Sequence, residues 1–226
     1  MSLRRALMRG AESLAARLAN LAHRPSAEVE QICAADLIKA HEVAELLRAN
    51  DRVLDIGCGD GHFLRKLGLF KPLRTTGVDL MSPAHSDLDL LAYDGWSLPF
   101  AAKTFDVSII GYVLHHLAPE HARRLLEEAV RVSQARVVIF EDSLGRFNWL
   151  YRMRNLLHFM ECAAAYERTG KYRSHPGDSM FLTHSQWEEF VQAVPGIAAV
   201  RVVSLAHLYR YAHHTLIEAR VRVNGR

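Results

Sequence analysis

The sequence predicts an α/β fold, a mostly parallel sheet with helices on both faces. Three observations carry that expectation. Short β-branched runs alternate with helical stretches at the spacing of strand–helix–strand units. A glycine-rich turn, Gly57 to Gly61, closes the first of these runs. Acidic residues close later ones, at Asp79, Asp94 and Glu141-Asp142. Strands joined this way form right-handed crossovers, and an open parallel sheet collects its ligands at the carboxyl ends of its strands.

The elements follow in order. Leu3, Leu7, Leu14, Leu18 and Leu21 fall on one helical side, with Arg4, Arg5, Arg9 and Arg17 elsewhere. Such a segment packs on a domain or lies on a membrane surface, and it lacks the continuous apolar core of a secretory signal. Pro25-Ser26 separates it from a second helical pattern, Ala27 to Ala49, which stops at Asn50-Asp51. Residues 1–50 are therefore expected as N-terminal helices packed on a core domain of residues 51–226. The strand candidates are "RVLDIG", "TTGVDL", "LDLLAYD", "FDVSIIGYV" and "RVVIFED", with helices over Gly61 to Phe70 and Pro119 to Ser133. After Asp142 the alternation breaks into an insertion, Leu144 to Met180. A helix opening at Thr183 and two strands, near Val200 to Leu205 and Thr215 to Val223, finish the chain.

Composition narrows the function. The chain has 226 residues, 50% hydrophobic and 23% charged, which is too apolar for disorder. Its three cysteines form no CxxC pair, which fits a reducing cytoplasm and no structural zinc. A net charge of +3 without a Lys/Arg run gives only weak grounds for a nucleic-acid partner, and none is expected. No apolar run reaches the roughly 18 residues of a membrane span.

The loop "VLDIGCGDG" carries the most information. A dinucleotide fingerprint needs G-x-G-x-x-G and a helix N-terminus open to pyrophosphate. Here the order is G-x-G-x-G, and Asp60 stands where a phosphate would be repelled. A glycine loop between Asp55 and Asp60 suits a cationic or zwitterionic ligand without phosphate. Asp79 lies where an acid commonly holds ribose hydroxyls, and Asp94 can accept from an exocyclic amine. A nucleoside with a charged, phosphate-free tail, such as S-adenosylmethionine, has that shape.

At this point four pieces in order, "VLDIGCGDG", "GVDL", "AYDGWSLPF" and "FDVSIIGYVLHHL", resemble the class I S-adenosylmethionine-dependent methyltransferases of the small-molecule type. The resemblance covers Asp51 to Asp142 well and Thr183 to Val223 less so. It implies a three-layer sandwich around a seven-stranded sheet whose last strand is antiparallel and lies beside strand five. It implies Gly57, Cys58 and Gly59 along the methionine part, with Asp55 on its amino group. Asp79 would bind the ribose, Leu80 the adenine face, and Asp94 with Gly95 the adenine edge.

Methyl transfer is an in-line displacement in which alignment supplies much of the rate. A general base helps where a hydroxyl or carbon acid is methylated. His115 and His116 after strand four are candidates for that base, or pack the start of a helix. Glu141 ends strand five, where it either orients substrate or caps a loop. The resemblance places the acceptor pocket at the insertion 144–180, with Trp149, Arg152 and Tyr112 as candidates. An apolar wall with a cationic rim suits an amphiphilic or acidic small molecule, such as a lipid, quinone precursor or secondary metabolite. No metal ligands show ligand spacing. The rival readings are a scaffold that binds the cofactor without transfer, and a nucleotide-dependent oxidoreductase. Cytoplasmic placement, with peripheral membrane contact through the N-terminal helix, completes the expectations.

Overall fold

The computed structural model describes residues 37–80, 88–143, 182–204 and 214–222. The expected first helix, the lid insertion and the candidates Trp149 and Arg152 lie outside the described residues. Helix α1 spans residues 37–45, and its Ala40, Val43 and Ala44, with Leu47 beyond, are buried at helical spacing. It ends earlier than the expected Ala49. Lys71 Nζ donates to the carbonyls of Ala44 and Leu47, Arg136 donates to Leu46 O at 2.7 Å, and Asn50 turns left-handed at φ 68°. Cations on the last carbonyls of a helix stop it and offset its dipole.

Seven strands follow: β1 Arg52–Ile56, β2 Arg74–Asp79, β3 Asp89–Ala92, β4 Phe105–Gly111, β5 Ser133–Asp142, β6 Ile197–Ser204 and β7 His214–Val221. Between them lie α2 His62–Gly68, a 3₁₀ turn Leu114–His116, α3 Pro119–Val132 and α4 His184–Gln192. They form one sheet in the order β3-β2-β1-β4-β5-β7-β6. β1 pairs in parallel with β2 and β4, and β7 lies antiparallel between β5 and β6. The expected sheet, with its antiparallel seventh strand beside the fifth, is the one observed.

Alternation along the strands sends side chains to two cores. Leu54, Ile56, Ile110, Val137, Ile139 and Ile217 meet α3 and α4, where Trp187 is fully buried. Val53, Val107, Ile109, Val138, Phe140 and Leu216 meet Val43, Ala44 and Leu47 of α1 and Leu67 of α2. By the same parity, Asp55 faces the α1 side. The α4 N-terminus carries a full capping box, Thr183 with Gln186.

The Leu98-Pro99-Phe100 step is pinned to α3. Glu128 accepts the Leu98 N–H at 2.9 Å, and Arg131 donates to the carbonyls of Leu98 and Phe100 at 3.0 and 2.7 Å while pairing with Glu128 at 2.7 Å. The Arg131 hydrogen bond holds the Glu128 carboxyl below its ordinary value. Its contribution is therefore present above the unfolded glutamate value and is lost as the pH falls through the depressed one. Arg131→Ala is expected to cost about 1–2 kcal/mol in urea unfolding at neutral pH, allowing for solvent around a partly exposed guanidinium. The cost should shrink in acid, where Glu128 is protonated in both proteins.

Candidate active site

The strand order reverses at β1, between β2 and β4, and the candidate residues converge there. The turn after β1 is drawn across the end of β2 by two hydrogen bonds, from the N–H groups of Gly57 and Cys58 to Val78 O at 2.7 and 3.1 Å. Gly57 has φ +79°, and a Cβ there would meet Val113 Cγ2 at 2.3 Å. Gly59, at φ +55°, has open space where its Cβ would be, and its N–H donates to Asp79 Oδ2 at 2.9 Å. The first glycine thus serves the packing of the β4 exit, and the second leaves room for a ligand against backbone. Asp60 Oδ1 accepts the His62 N–H at 3.0 Å, so a carboxylate occupies the α2 N-terminus where a dinucleotide would rest its phosphates.

Asp55 is buried, and desolvation followed by repulsion from Asp79 pushes its carboxyl up to about 7. Cys58 is buried against Gly77, and burial pushes its thiol up to about 12, so it lines the site without nucleophilic character. A cavity of about 230 Å³ opens beside them, lined by Lys39, Asp55, Gly57, Cys58, His62, Phe63, Lys66, Gly111, Tyr112 and Phe140. A larger depression, about 390 Å³ along Glu120, Arg123, Arg124 and Glu127 of α3, contains none of the glycine-loop residues and is wide open to solvent.

Across the loop, Leu80 is half exposed and touches the Gly95 position, where an added Cβ would lie 2.9 Å from Leu80 Cδ2. Gly95 has φ +83°. Asp94 Oδ1 accepts the N–H groups of Ser97 and Trp96 at 2.9 and 2.8 Å, and these bonds hold its carboxyl below the ordinary value. Asp94 therefore shapes its turn with one oxygen, whatever the other contacts. Trp96 stacks on His121 at 4.0 Å, and His121 Nε2 meets Gly95 O at 2.7 Å.

Beyond β4 the chain carries two polar clusters, one on each face of the sheet. On the α1 side, Tyr112 sits at φ +57°, an uncommon conformation for an aromatic residue. Its hydroxyl meets His214 Nδ1 at 3.2 Å, and Lys39 Nζ lies 4.6 Å from its ring centroid. On the α3 side, Glu141 is fully buried, with Oε1 accepting the Leu114 N–H at 2.7 Å and Oε2 meeting His115 Nδ1 at 2.6 Å. Of the two readings of Glu141, orienting substrate or capping a loop, the bond from the Leu114 N–H is a loop cap. The His115 and His116 rings lie 4.0 Å apart. Among the described residues no group of three or more His, Cys, Asp or Glu is arranged to hold a metal.

The structure brings Asp55, Gly57, Gly59, Asp79 and Tyr112 of the sequence reading near one another and adds Lys39, His62, Lys66 and His214 beside them. Lys39 was accessible to that reading, because it sits beside Ala40 and Val43 on the buried stripe of α1. His214 was not, since only the pairing of β5 with β7 brings it to β4.

A family model described as a methyltransferase domain matches residues 54–140. The demethylmenaquinone methyltransferase of Paenarthrobacter aurescens is 31% identical over 111 residues, covering 43% of this chain and 41% of that protein. The chain thus aligns with well under two thirds of that relative's length. Among solved structures, the magnesium protoporphyrin IX methyltransferase of Synechocystis PCC 6803 superposes with a TM-score of 0.60 at 14% identity, over 87% of this chain and 89% of that one. The cyclase SpnF superposes with a TM-score of 0.61 at 16% identity, over 83% and 81%. A glycine loop at the switch point of a sheet closed by an antiparallel seventh strand, matched over residues 54–140 by the methyltransferase-domain model, gives this chain the fold of the class I methyltransferases.

Proposed function

We propose that the chain transfers the methyl group of S-adenosylmethionine to a small amphiphilic or acidic molecule. One observation carries the reading: a buried carboxyl, Asp55, and a buried ammonium, Lys39, line the same cavity beside the glycine loop. A zwitterionic amino acid complements that pair, its ammonium on Asp55 and its carboxylate toward Lys39 and Lys66. In this reading Asp79 holds the ribose, and Leu80, Gly95 and Asp94 hold the adenine. Alignment of donor and acceptor supplies the rate. The relative's named quinone substrate supports a quinone precursor as one acceptor class. A cyclase on a similar fold is the reason for the alternative, a cofactor-binding protein without transfer. Release of S-adenosylhomocysteine in the presence of an acceptor separates the two. The occupied α2 N-terminus disfavours the oxidoreductase.

Asp79→Ala is expected to leave the fold intact and lower S-adenosylmethionine affinity tenfold or more by titration calorimetry, since each hydrogen bond to a charged group is worth about 1.5–3 kcal/mol. Lys39→Met should weaken S-adenosylmethionine binding and leave adenosine, which lacks the carboxylate, unaffected. Equal losses for both ligands would detach Lys39 from the amino-acid end.

The raised Asp55 sets a pH dependence. The empty native protein keeps a proton there that the unfolded chain releases near 3.8, so stability falls as the pH rises from 3.8 through about 7. A bound ammonium needs the carboxylate. Donor affinity should therefore fall as the pH drops below about 7, with proton release on binding. Asp55→Asn should bind more weakly at pH 8 and lose this limb, as calorimetry in buffers of differing ionisation enthalpy would read.

A further inference from the structure

Helix α3 grips the segment after β3 at two levels. Glu128 and Arg131 dock the Leu98-Pro99-Phe100 step. About two turns nearer the helix start, His121 reaches a different stretch, the turn Asp94 to Trp96. Its Nε2 lies 2.7 Å from Gly95 O, and a carbonyl only accepts, so Nε2 carries a proton. The other end of the same peptide unit, the Trp96 N–H, donates to Asp94 Oδ1 at 2.8 Å. A planar peptide held at both ends cannot rotate. The restraint acts where the backbone is freest, because Gly95 sits at φ +83°. Gly95 also packs against Leu80, whose Cδ2 would lie 2.9 Å from an added Cβ. The His121 ring stacks on Trp96 with centroids 4.0 Å apart and planes 7° from parallel, and the Arg124 guanidinium lies 5.6 Å from the same indole. Trp96 is 46% exposed, so burial alone does not hold it there.

We propose that His121 is a positioning residue for the nucleoside end of the donor site: it fixes the Gly95–Trp96 peptide and thereby aims the Asp94 carboxylate at the adenine amine. The inference rests on the reading above, in which Leu80, Gly95 and Asp94 hold the adenine, and deepens it. Asp94 Oδ1 accepts the N–H groups of Trp96 and Ser97, so the direction of the carboxylate follows the direction of those two groups. Turning the Gly95–Trp96 peptide withdraws the Trp96 N–H and lets the carboxylate rotate. A turn that spends only about a tenth of its time in the competent arrangement binds its ligand about tenfold more weakly. The ring stack does not select that arrangement by itself, because any aromatic ring can stack on an indole. The selection comes from the N–H that only the imidazole brings to Gly95 O.

His121→Phe separates the two contacts, since it keeps a ring for Trp96 and loses the donor to Gly95. Titration calorimetry with adenosine, and with inosine, which lacks the exocyclic amine, reads the aim of Asp94. The wild type is expected to prefer adenosine. In His121→Phe the adenosine affinity should fall about tenfold and the inosine affinity by less than about twofold, so that the preference collapses. His121→Gln, whose side-chain NH₂ can donate to the same carbonyl, should recover most of it. A general loosening of the fold would weaken both nucleosides alike. Equal losses for the two therefore overturn the proposal, as do adenosine binding within about twofold of the wild type in His121→Phe and a His121→Gln protein no better than His121→Phe. ¹⁵N NMR of the histidine-labelled wild type gives a readout that needs no altered site, with the His121 signal identified by its loss in His121→Gln. An Nε2–H imidazole is expected there, and a ring protonated on Nδ1 alone overturns the assignment. A wild type that binds adenosine and inosine equally would instead remove the adenine reading on which the proposal rests.

Discussion

The backbone of Gly57 passes so close to the β4 exit that a single added carbon would meet Val113 at 2.3 Å. That contact is the constraint on which the site depends. It lets the loop after β1 fold flat over the ends of β1 and β2, where Gly57 and Cys58 both bond to Val78 O. It also fixes where β4 must turn, because Val113 is the residue before the 3₁₀ turn that presents His115 and His116. One bare backbone position thus couples the glycine loop to the turn that carries His115 and His116. A side chain there would be strained at φ +79° and would also push these two walls apart.

The charges around this contact are arranged at a cost. Asp55 is buried within reach of Asp79, and the empty site answers by favouring the protonated form of Asp55. A cation that binds such a site must displace the proton, so restoring the charge on Asp55 costs part of the binding energy below about pH 7. On the same cavity, the ammonium of Lys39 lies over the Tyr112 ring. That placement leaves the cavity with separated acidic and basic walls, which is what a zwitterion requires and a neutral nucleoside does not.

Much of this was legible in the sequence, for reasons that are local. The β-branched runs, the glycine spacing and the strand-ending acids are each set within a few residues, so the sheet, its switch point and Asp55, Gly57, Gly59 and Asp79 could be read directly. Asp60 could be read too, as a reason against phosphate, and its bond to the His62 N–H gives that reason a geometry. What could not be read depends on long-range pairing. His214 reaches Tyr112 only because β7 enters antiparallel beside β5, about a hundred residues away in sequence from β4. Which loop Glu141 caps could not be read for a similar reason: the parity of β5 brings it to the turn that follows β4.

That parity has a further consequence. Consecutive strand residues face opposite sides, so Phe140 belongs to the core under α1 and Glu141 to the core under α3. The β4 exit divides in the same way, with Tyr112 packed toward α1 and Leu114 toward α3. The sheet therefore sorts its two histidine pairs, Tyr112 with His214 and Glu141 with His115, onto separate faces that meet only at the carboxyl edge. The cavity beside the glycine loop takes its wall at Tyr112 from the first face. Separation by strand parity lets one narrow edge carry two polar clusters without placing both in the same pocket.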